Sequence, residues 1–391
     1  MQFTDSPELA QLRTEVRDHL TEVMTPERRE RIYRSGVSHD KDLIAGLVDR
    51  GWFVPPHLAE AVGAPVRTAV EQSAIDAELM YADAPTYLSA TTMMVASVIH
   101  HAGTDEMKER ILGPALGGEV TIALGFTEPE SGSDVAAAAT RAVRDGDDWV
   151  INGSKMFTTN GHIADYVFLL ARTDPTVPKH KGLTMFLVPM DTPGCDAQAV
   201  WTLSGERTNI TFYSDVRIGD EQRIGDVNAG WSVLNIALVD EHASSWGPHL
   251  ARLLHHAEAW AHEKRVDDQG VTATPIDDPA TRRRLARIAM EVEVSDLLQQ
   301  RCLWMSGNGD MPIAEGPMSK LYSTEALERA TEDVVEMVGP DGLRSYLEPT
   351  APEDGMFEQT MRFSLGTTIY AGTSEVQRTI IAQRGLKLPR T

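Results

Sequence analysis

The period of the apolar pattern changes twice along this chain, and that alternation constrains its fold more than any other feature. From about residue 5 to 118 the spacing is helical: Leu43, Ile44, Leu47 and Val48 recur on one face, and 90–101 is an apolar, Met-rich run. Short strand-like runs then take over, among them Trp149-Val-Ile151, Tyr166-Val-Phe-Leu-Leu170, Thr184-Met-Phe-Leu-Val188 and Ile210-Thr-Phe-Tyr213. Asp145-Gly146, Asn152-Gly153 and the proline-containing stretch 173–182 read as turns between them. After Gly225 the helical period returns, with Leu285, Ile288, Val292 and Leu303 on a long helix from about Ala280, while 266–279 reads as a polar loop. The expectation is an α+β chain in three domains: helical over 1–118, a β-domain over 119–223, and helical again over 224–391.

With 391 residues, 42% of them hydrophobic, the chain is long enough to bury a substantial core. Its net charge of −22 argues against a nucleic-acid partner, which needs a basic stripe to neutralise phosphates. The same field opposes any anionic ligand, so bound phosphates would need local Lys or Arg. Two cysteines, Cys195 and Cys302, are too few for a disulfide framework and too far apart for a CxxC metal site. No apolar run approaches the length of about eighteen residues that a membrane helix needs, and the first eight residues lack the pattern of a signal peptide. The chain is therefore expected to be cytoplasmic, with no membrane partner.

Three strings carry chemistry. Leu124-Gly-Phe-Thr-Glu-Pro-Glu-Ser-Gly-Ser-Asp-Val135 is a hydroxyl-rich turn that can bring backbone N–H groups and the Thr127 and Ser133 hydroxyls to a polar ring edge, with Gly132 leaving room for close approach. Lys155-Met-Phe-Thr-Thr-Asn-Gly161 carries an aromatic face at Phe157 beside Thr159 and Asn160. In Thr367-Thr-Ile-Tyr-Ala-Gly-Thr-Ser-Glu-Val-Gln-Arg378, Thr373 or Ser374 could cap a helix over 376–386, whose N-terminus would favour an anion.

In fixed register these strings resemble the T-E-P-x-x-G-S-D loop, the K-x-W-I-T-N-G strand and the C-terminal signature of the acyl-CoA dehydrogenases, which implies a strand over 155–161. The resemblance implies the family's fold, with a four-helix bundle in the last domain, and FAD as cofactor. It implies that Phe126, Thr127, Gly132, Ser133, Phe157, Thr159, Thr373 and Glu375 bind FAD, and that the Ala371 N–H polarises the thioester carbonyl of an acyl-CoA substrate. Its implied reaction is α,β-dehydrogenation to the trans-2-enoyl-CoA, with electrons leaving to an electron-transfer flavoprotein.

Ala371 stands where many family members carry the glutamate that removes the α-proton, and a methyl group transfers no proton. Some members place the base on an earlier helix. Here Val239-Asp-Glu-His-Ala243 lies at the corresponding distance, and a carboxylate among its largely apolar neighbours would have a raised pKa. Helical spacing does not choose between Asp240 and Glu241; the resemblance chooses Glu241.

Other departures narrow the branch. The family's R-x-x-F-G string is replaced by Glu263-Lys-Arg-Val-Asp-Asp-Gln269, its G-G-x-G loop by Val338-Gly-Pro-Asp-Gly-Leu343, and its W-P-x-E-Y-G-G loop by 53–63. The first two changes, with Thr25-Pro-Glu-Arg-Arg-Glu30 and the polar loop at 266–279, resemble one subunit of the α2β2 dehydrogenases of bacterial sterol side chains, in which two homologous chains share each flavin. A bulky sterol thioester and a homologous partner subunit follow from that resemblance. Two readings stand beside it: a non-catalytic subunit that completes a homologue's flavin site, and an acyl-CoA oxidase.

Overall fold

The computed structural model describes residues 4–241, 245–266 and 272–389, the side chains of 238–241 and 265–266 excepted. The first helices are α1 (Pro7–Val23), α2 (Pro26–Ser35), α3 (Lys41–Asp49), α4 (Ala69–Tyr81), α5 (Tyr87–Ala102) and α6 (Asp105–Leu116). Strands follow as β1 (Ile122–Gly125), β2 (Arg141–Asp145), β3 (Asp148–Lys155), β4 (Tyr166–Arg172), β5 (Leu183–Pro189), β6 (Cys195–Trp201), β7 (Arg207–Gly219) and β8 (Arg223–Ile224). The later helices are α7 (Gly230–Glu241), α8 (Gly247–His262), α9 (Pro279–Gly307), α10 (Glu315–Val338), α11 (Met356–Thr367) and α12 (Ser374–Ile380). Helices plus one mixed sheet make this an α+β fold, and no described helix is long and apolar enough to cross a membrane.

Two compact units result. One, the sheet unit, holds Thr21–Gln72 and Ala84–Glu241; the other, the helical unit, holds Met1–Leu20, Ser73–Asp83 and His242–Thr391. In the sheet unit the strand order is β6-β7-β3-β2-β4-β5-β8, with β1 added parallel to β4. The Tyr166-to-Leu170 run is apolar without alternation because β4 is covered on both faces; Val167, Phe168, Leu169 and Leu170 are all fully buried. Trp149, Ile151, Phe186 and Val216 complete the core around it, each such side chain contributing about 1.5–3 kcal/mol. Leu43, Ile44 and Leu47 of α3 are buried as their spacing predicts, and Asp40 caps that helix by accepting from the Leu43 N–H at 3.0 Å.

The sequence reading differs from the structure in two places here. Asn152-Gly153 is no turn: it lies inside β3, where the register with β7 jumps from Ile151 opposite Val216 to Gly153 opposite Tyr213. Gly153 has φ 148°, and a Cβ there would stand 2.6 Å from Thr140 Oγ1, so the glycine serves a β-bulge. The polar stretch 266–279 also carries structure, a short antiparallel ribbon of Arg265–Val266 with Thr272–Ala273 and a 3-10 turn at Pro275–Asp277.

In the helical unit α8, α9, α10 and α11 enclose Leu250, Leu253, Trp260, Leu285, Ile288 and Phe357. Asp278 caps α9 at the Ala280 N–H with Pro279 in its first turn, and Arg329 of α10 reaches Glu291 of α9 at 3.0 Å. Early segments join this unit through charge and ring contacts. Arg13 and Arg17 both reach the buried Glu78, at 3.4 and 2.9 Å, Arg252 reaches Asp83 at 3.2 Å, and the Tyr81 ring meets His255 edge-on at 6.2 Å. Burial pushes both the Cys195 and Cys302 thiols up to about 11, away from the reactive thiolate form.

Candidate active site

The first signature string is built around a buried ion pair. Lys155 ends β3 with its ammonium fully buried, 2.8 Å from Glu128 Oε1 and 3.0 Å from the Phe126 carbonyl. Glu128 also accepts from the Ala139 and Thr140 N–H groups at 2.6 and 2.9 Å. Burial pushes Lys155 down to about 8 despite the carboxylate beside it. Burial acts on Glu128 in the opposite sense, but Lys155 and the two N–H groups hold its carboxyl below the ordinary range. Phe126 meets Phe168 edge-on at 5.6 Å, Thr127 is half-buried, and Gly132 and Ser133 are exposed. A Cβ on Gly132 would meet nothing within 4 Å, so nothing in this chain requires a glycine there.

The Met156 N–H donates to the Thr127 carbonyl at 2.8 Å, which joins the first string to the second. The expected strand over 155–161 stops at Lys155. Phe157 and Asn160 both take left-handed backbone, at φ 60° and 58°, which a strand does not tolerate. Phe157 is 54% exposed, so it is not a core aromatic. Thr159 Oγ1 pairs with Thr208 Oγ1 at 3.1 Å, and Asn160 Nδ2 donates to Ser38 Oγ at 2.8 Å, fixing the loop that follows the open ring.

The third string lies in the helical unit as a turn leading into a short helix. Ala371 has φ 53° and Gly372 φ 80°; for alanine that conformation costs roughly 1–2 kcal/mol. Two interior side chains hold it there. Lys320 of α10 donates to the Thr367 and Gly372 carbonyls, each at 2.8 Å, and Gln377 Nε2 donates to the Ala371 carbonyl at 2.9 Å. The Ala371 methyl packs against the bundle core, and Tyr370 meets Trp246 at 6.1 Å.

Thr373 is the cap, its Oγ1 accepting from the Val376 N–H at 3.2 Å, so the helix begins at Ser374 rather than 376. Its α-helical part ends at Ile380 and a π-helical turn follows over Ile381–Gly385. Glu375 is exposed, its carboxyl held below the usual range first by its own backbone N–H and then by Thr373. A cleft of about 390 Å³ opens here, lined by Glu325, Thr368, Thr373, Ser374, Glu375 and Arg378 among others. Arg378 is paired with Glu325 at 2.8 Å.

Thus the structure brings Phe126, Thr127, Phe157 and Thr159 around the end of β3, and Ala371, Thr373 and Glu375 around one turn of the other unit. Glu241 closes the described part of α7, behind the buried Ala237; its side chain, and residues 242–244, lie outside the described residues. Sequence reasoning missed Lys155, Glu128, Lys320 and Gln377. Lys155 and Glu128 stand in the quoted strings with nothing in their spacing to mark them as a buried pair, and Lys320 and Gln377 lie in polar stretches that carry no such mark either.

Family models for the acyl-CoA dehydrogenase N-terminal, middle and C-terminal domains match residues 6–119, 123–216 and 228–386 in turn. The chain belongs to the acyl-CoA dehydrogenase family. It is, with that family, an oxidoreductase acting on acyl-CoA. Among its relatives, acyl-CoA dehydrogenase FadE26 of Mycobacterium tuberculosis is 33% identical over 404 residues, covering 100% of this chain and 99% of the relative. FadE29 of the same organism is 32% identical over 394 residues, covering 98% of each. Among solved structures, the Tcur3481-Tcur3483 steroid ACAD superposes with a TM-score of 0.91 at 31% identity over 100% of both chains. The ChsE4-ChsE5 complex from Mycobacterium tuberculosis does so with a TM-score of 0.91 at 33% identity, again over 100% of both.

Proposed function

We propose that this acyl-CoA dehydrogenase converts a saturated, bulky acyl-CoA thioester, of the sterol side-chain class, to its trans-2-enoyl-CoA, with Glu241 as the base. The observation that carries this reading is the turn at Ala371. Its backbone is held in an unfavourable conformation by Lys320 and Gln377 although its side chain has no acid to present. A turn kept for its N–H rather than its side chain suits carbonyl binding, and leaves proton removal to another element. Glu241, at the end of the described α7, is the carboxylate that the family resemblance offers.

Bound FAD would supply the hydride acceptor, and the residues present suit it. Phe157 turns an open aromatic face outward, Thr127, Ser133 and Thr159 offer hydroxyls, and Thr373 heads a helix beside a cleft. Phe126 and Gly132 would contribute backbone, and Glu375 would hold a hydroxyl of the ribityl side. Ala371 N–H would orient the thioester so that the α-proton meets Glu241, and holding substrate between base and acceptor makes the elimination effectively intramolecular. Electrons would leave to an electron-transfer flavoprotein.

The likeness to a steroid ACAD supports the bulky substrate. The likeness to complexes of two differently named chains, with the altered Glu263-to-Gln269 string, supports a homologous partner in an α2β2 assembly. Glu241→Gln, assayed with the subunit that restores flavin, is expected to lose turnover by roughly 10²–10⁴-fold. Wild-type turnover in that variant would overturn the assignment of the base.

A further inference from the structure

Lys320 takes no part in the chemistry above, yet it is 2% exposed in the second turn of α10. Its ammonium donates to the Thr367 and Gly372 carbonyls at 2.8 Å each and stands 5.8 Å from the centre of the Trp246 ring. Those carbonyls bracket Tyr370 and Ala371. A neutral side chain of the same length would fill this space without the cost of burying a charge; what the ammonium adds is two strong hydrogen bonds and a fixed positive field.

Gln377 separates those two contributions, because its Nε2 also donates to the turn, to the Ala371 carbonyl at 2.9 Å and the Gly372 carbonyl at 3.4 Å, but carries no charge. Both side chains draw carbonyl oxygens inward. We propose that Lys320 is a positioning residue for the acyl thioester: it fixes the turn that presents the Ala371 N–H and places its ammonium behind it. Negative charge that develops on the thioester oxygen as the α-proton leaves is then stabilised more than the neutral ground state, because the ammonium acts through a dry interior. The inference rests on reading Ala371 as the carbonyl donor.

The experiment compares Lys320→Met and Lys320→Arg in the flavin-loaded enzyme, purified with whichever subunit restores flavin. Two quantities are read beside the melting temperature. One is the split between kcat and KM; the other is the ratio of affinities for a 3-thia-acyl-CoA, which binds as its α-anion, and for the matching saturated acyl-CoA. Lys320→Met is expected to lose kcat roughly 10- to 100-fold with KM within about threefold, and to lose the affinity ratio by a similar factor. Lys320→Arg should keep the ratio even where it melts earlier. A lower melting temperature with unchanged kcat and ratio would make the lysine purely structural and overturn the proposal. If Lys320→Met does not fold, Lys320→Gln decides: it keeps a hydrogen-bond donor toward the turn and removes the ammonium, so the ratio must still fall about tenfold, and a ratio within about twofold of wild type would overturn the proposal. A wild-type enzyme that neither binds nor oxidises acyl-CoA would instead sink the function on which this rests.

Discussion

At the scale of single residues, buried ionisable groups give the fold its pH dependence, and His249 on α8 is the clearest case. Burial, with Arg252 adding to it, pushes its imidazole down from 6.5 to about 4, while its ring lies 5.0 Å from Phe363. The unfolded chain therefore binds the extra proton between those values and the folded chain does not. Stability contributed by neutral His249 is complete above 6.5 and is lost as pH falls through 4, by roughly 3 kcal/mol. Chemical denaturation at pH 7 and pH 4.5 should show His249→Phe losing less stability on acidification than wild type; equal losses would refute the assignment. None of this was legible in the sequence, where His249 is one of twelve histidines. The same holds for Lys155 and Glu128, 27 residues apart in sequence and 2.8 Å apart in the structure. Ala371 was legible, since there a familiar string differs at its central residue.

At the scale of elements, periodicity located helices and strands well and misread local backbone. Asp145-Gly146 and Asn152-Gly153 look alike as sequence, because hairpins and bulges both use positive φ. Only pairing with β7 tells them apart. The two glycines should differ in tolerance accordingly. A Cβ at Gly146 meets nothing within 4 Å, so Gly146→Ala carries only backbone strain of about 1 kcal/mol. At Gly153 a Cβ meets Thr140 at 2.6 Å, so Gly153→Ala adds overpacking of about 1–3 kcal/mol. Urea midpoints of the two variants measure the gap, and equal midpoints would mean that the bulge relaxes freely. The strand that the resemblance implied over 155–161 ends at Lys155 for a related reason: a matching string says nothing of the left-handed backbone at Phe157 and Asn160.

At the scale of the whole molecule, the order helical, sheet, helical was legible from period alone. The make-up of the helical unit was not. Apolar spacing says which face of a helix is buried but not against what, so nothing in α1 or α4 announced that Met1–Leu20 and Ser73–Asp83 belong with the chain beyond Glu241. Assembly is the prediction proper to this scale. Expressed alone, the chain is expected to hold well under one flavin per chain; coexpressed with its homologous partner, it should hold flavin and run as a heterotetramer by native mass. A homotetramer with one tightly bound FAD per chain would contradict the shared site.

The composition of the helical unit also sets an order in time. Its first helix leaves the ribosome some 220 residues before α8, the helix whose Arg252 and His255 meet Asp83 and Tyr81. At about 5–20 residues per second that is a wait of roughly 10–45 seconds. The sheet unit, whose last helix ends at Glu241, can be complete by then. Synthesis therefore finishes the middle of this protein first and closes its beginning onto its end.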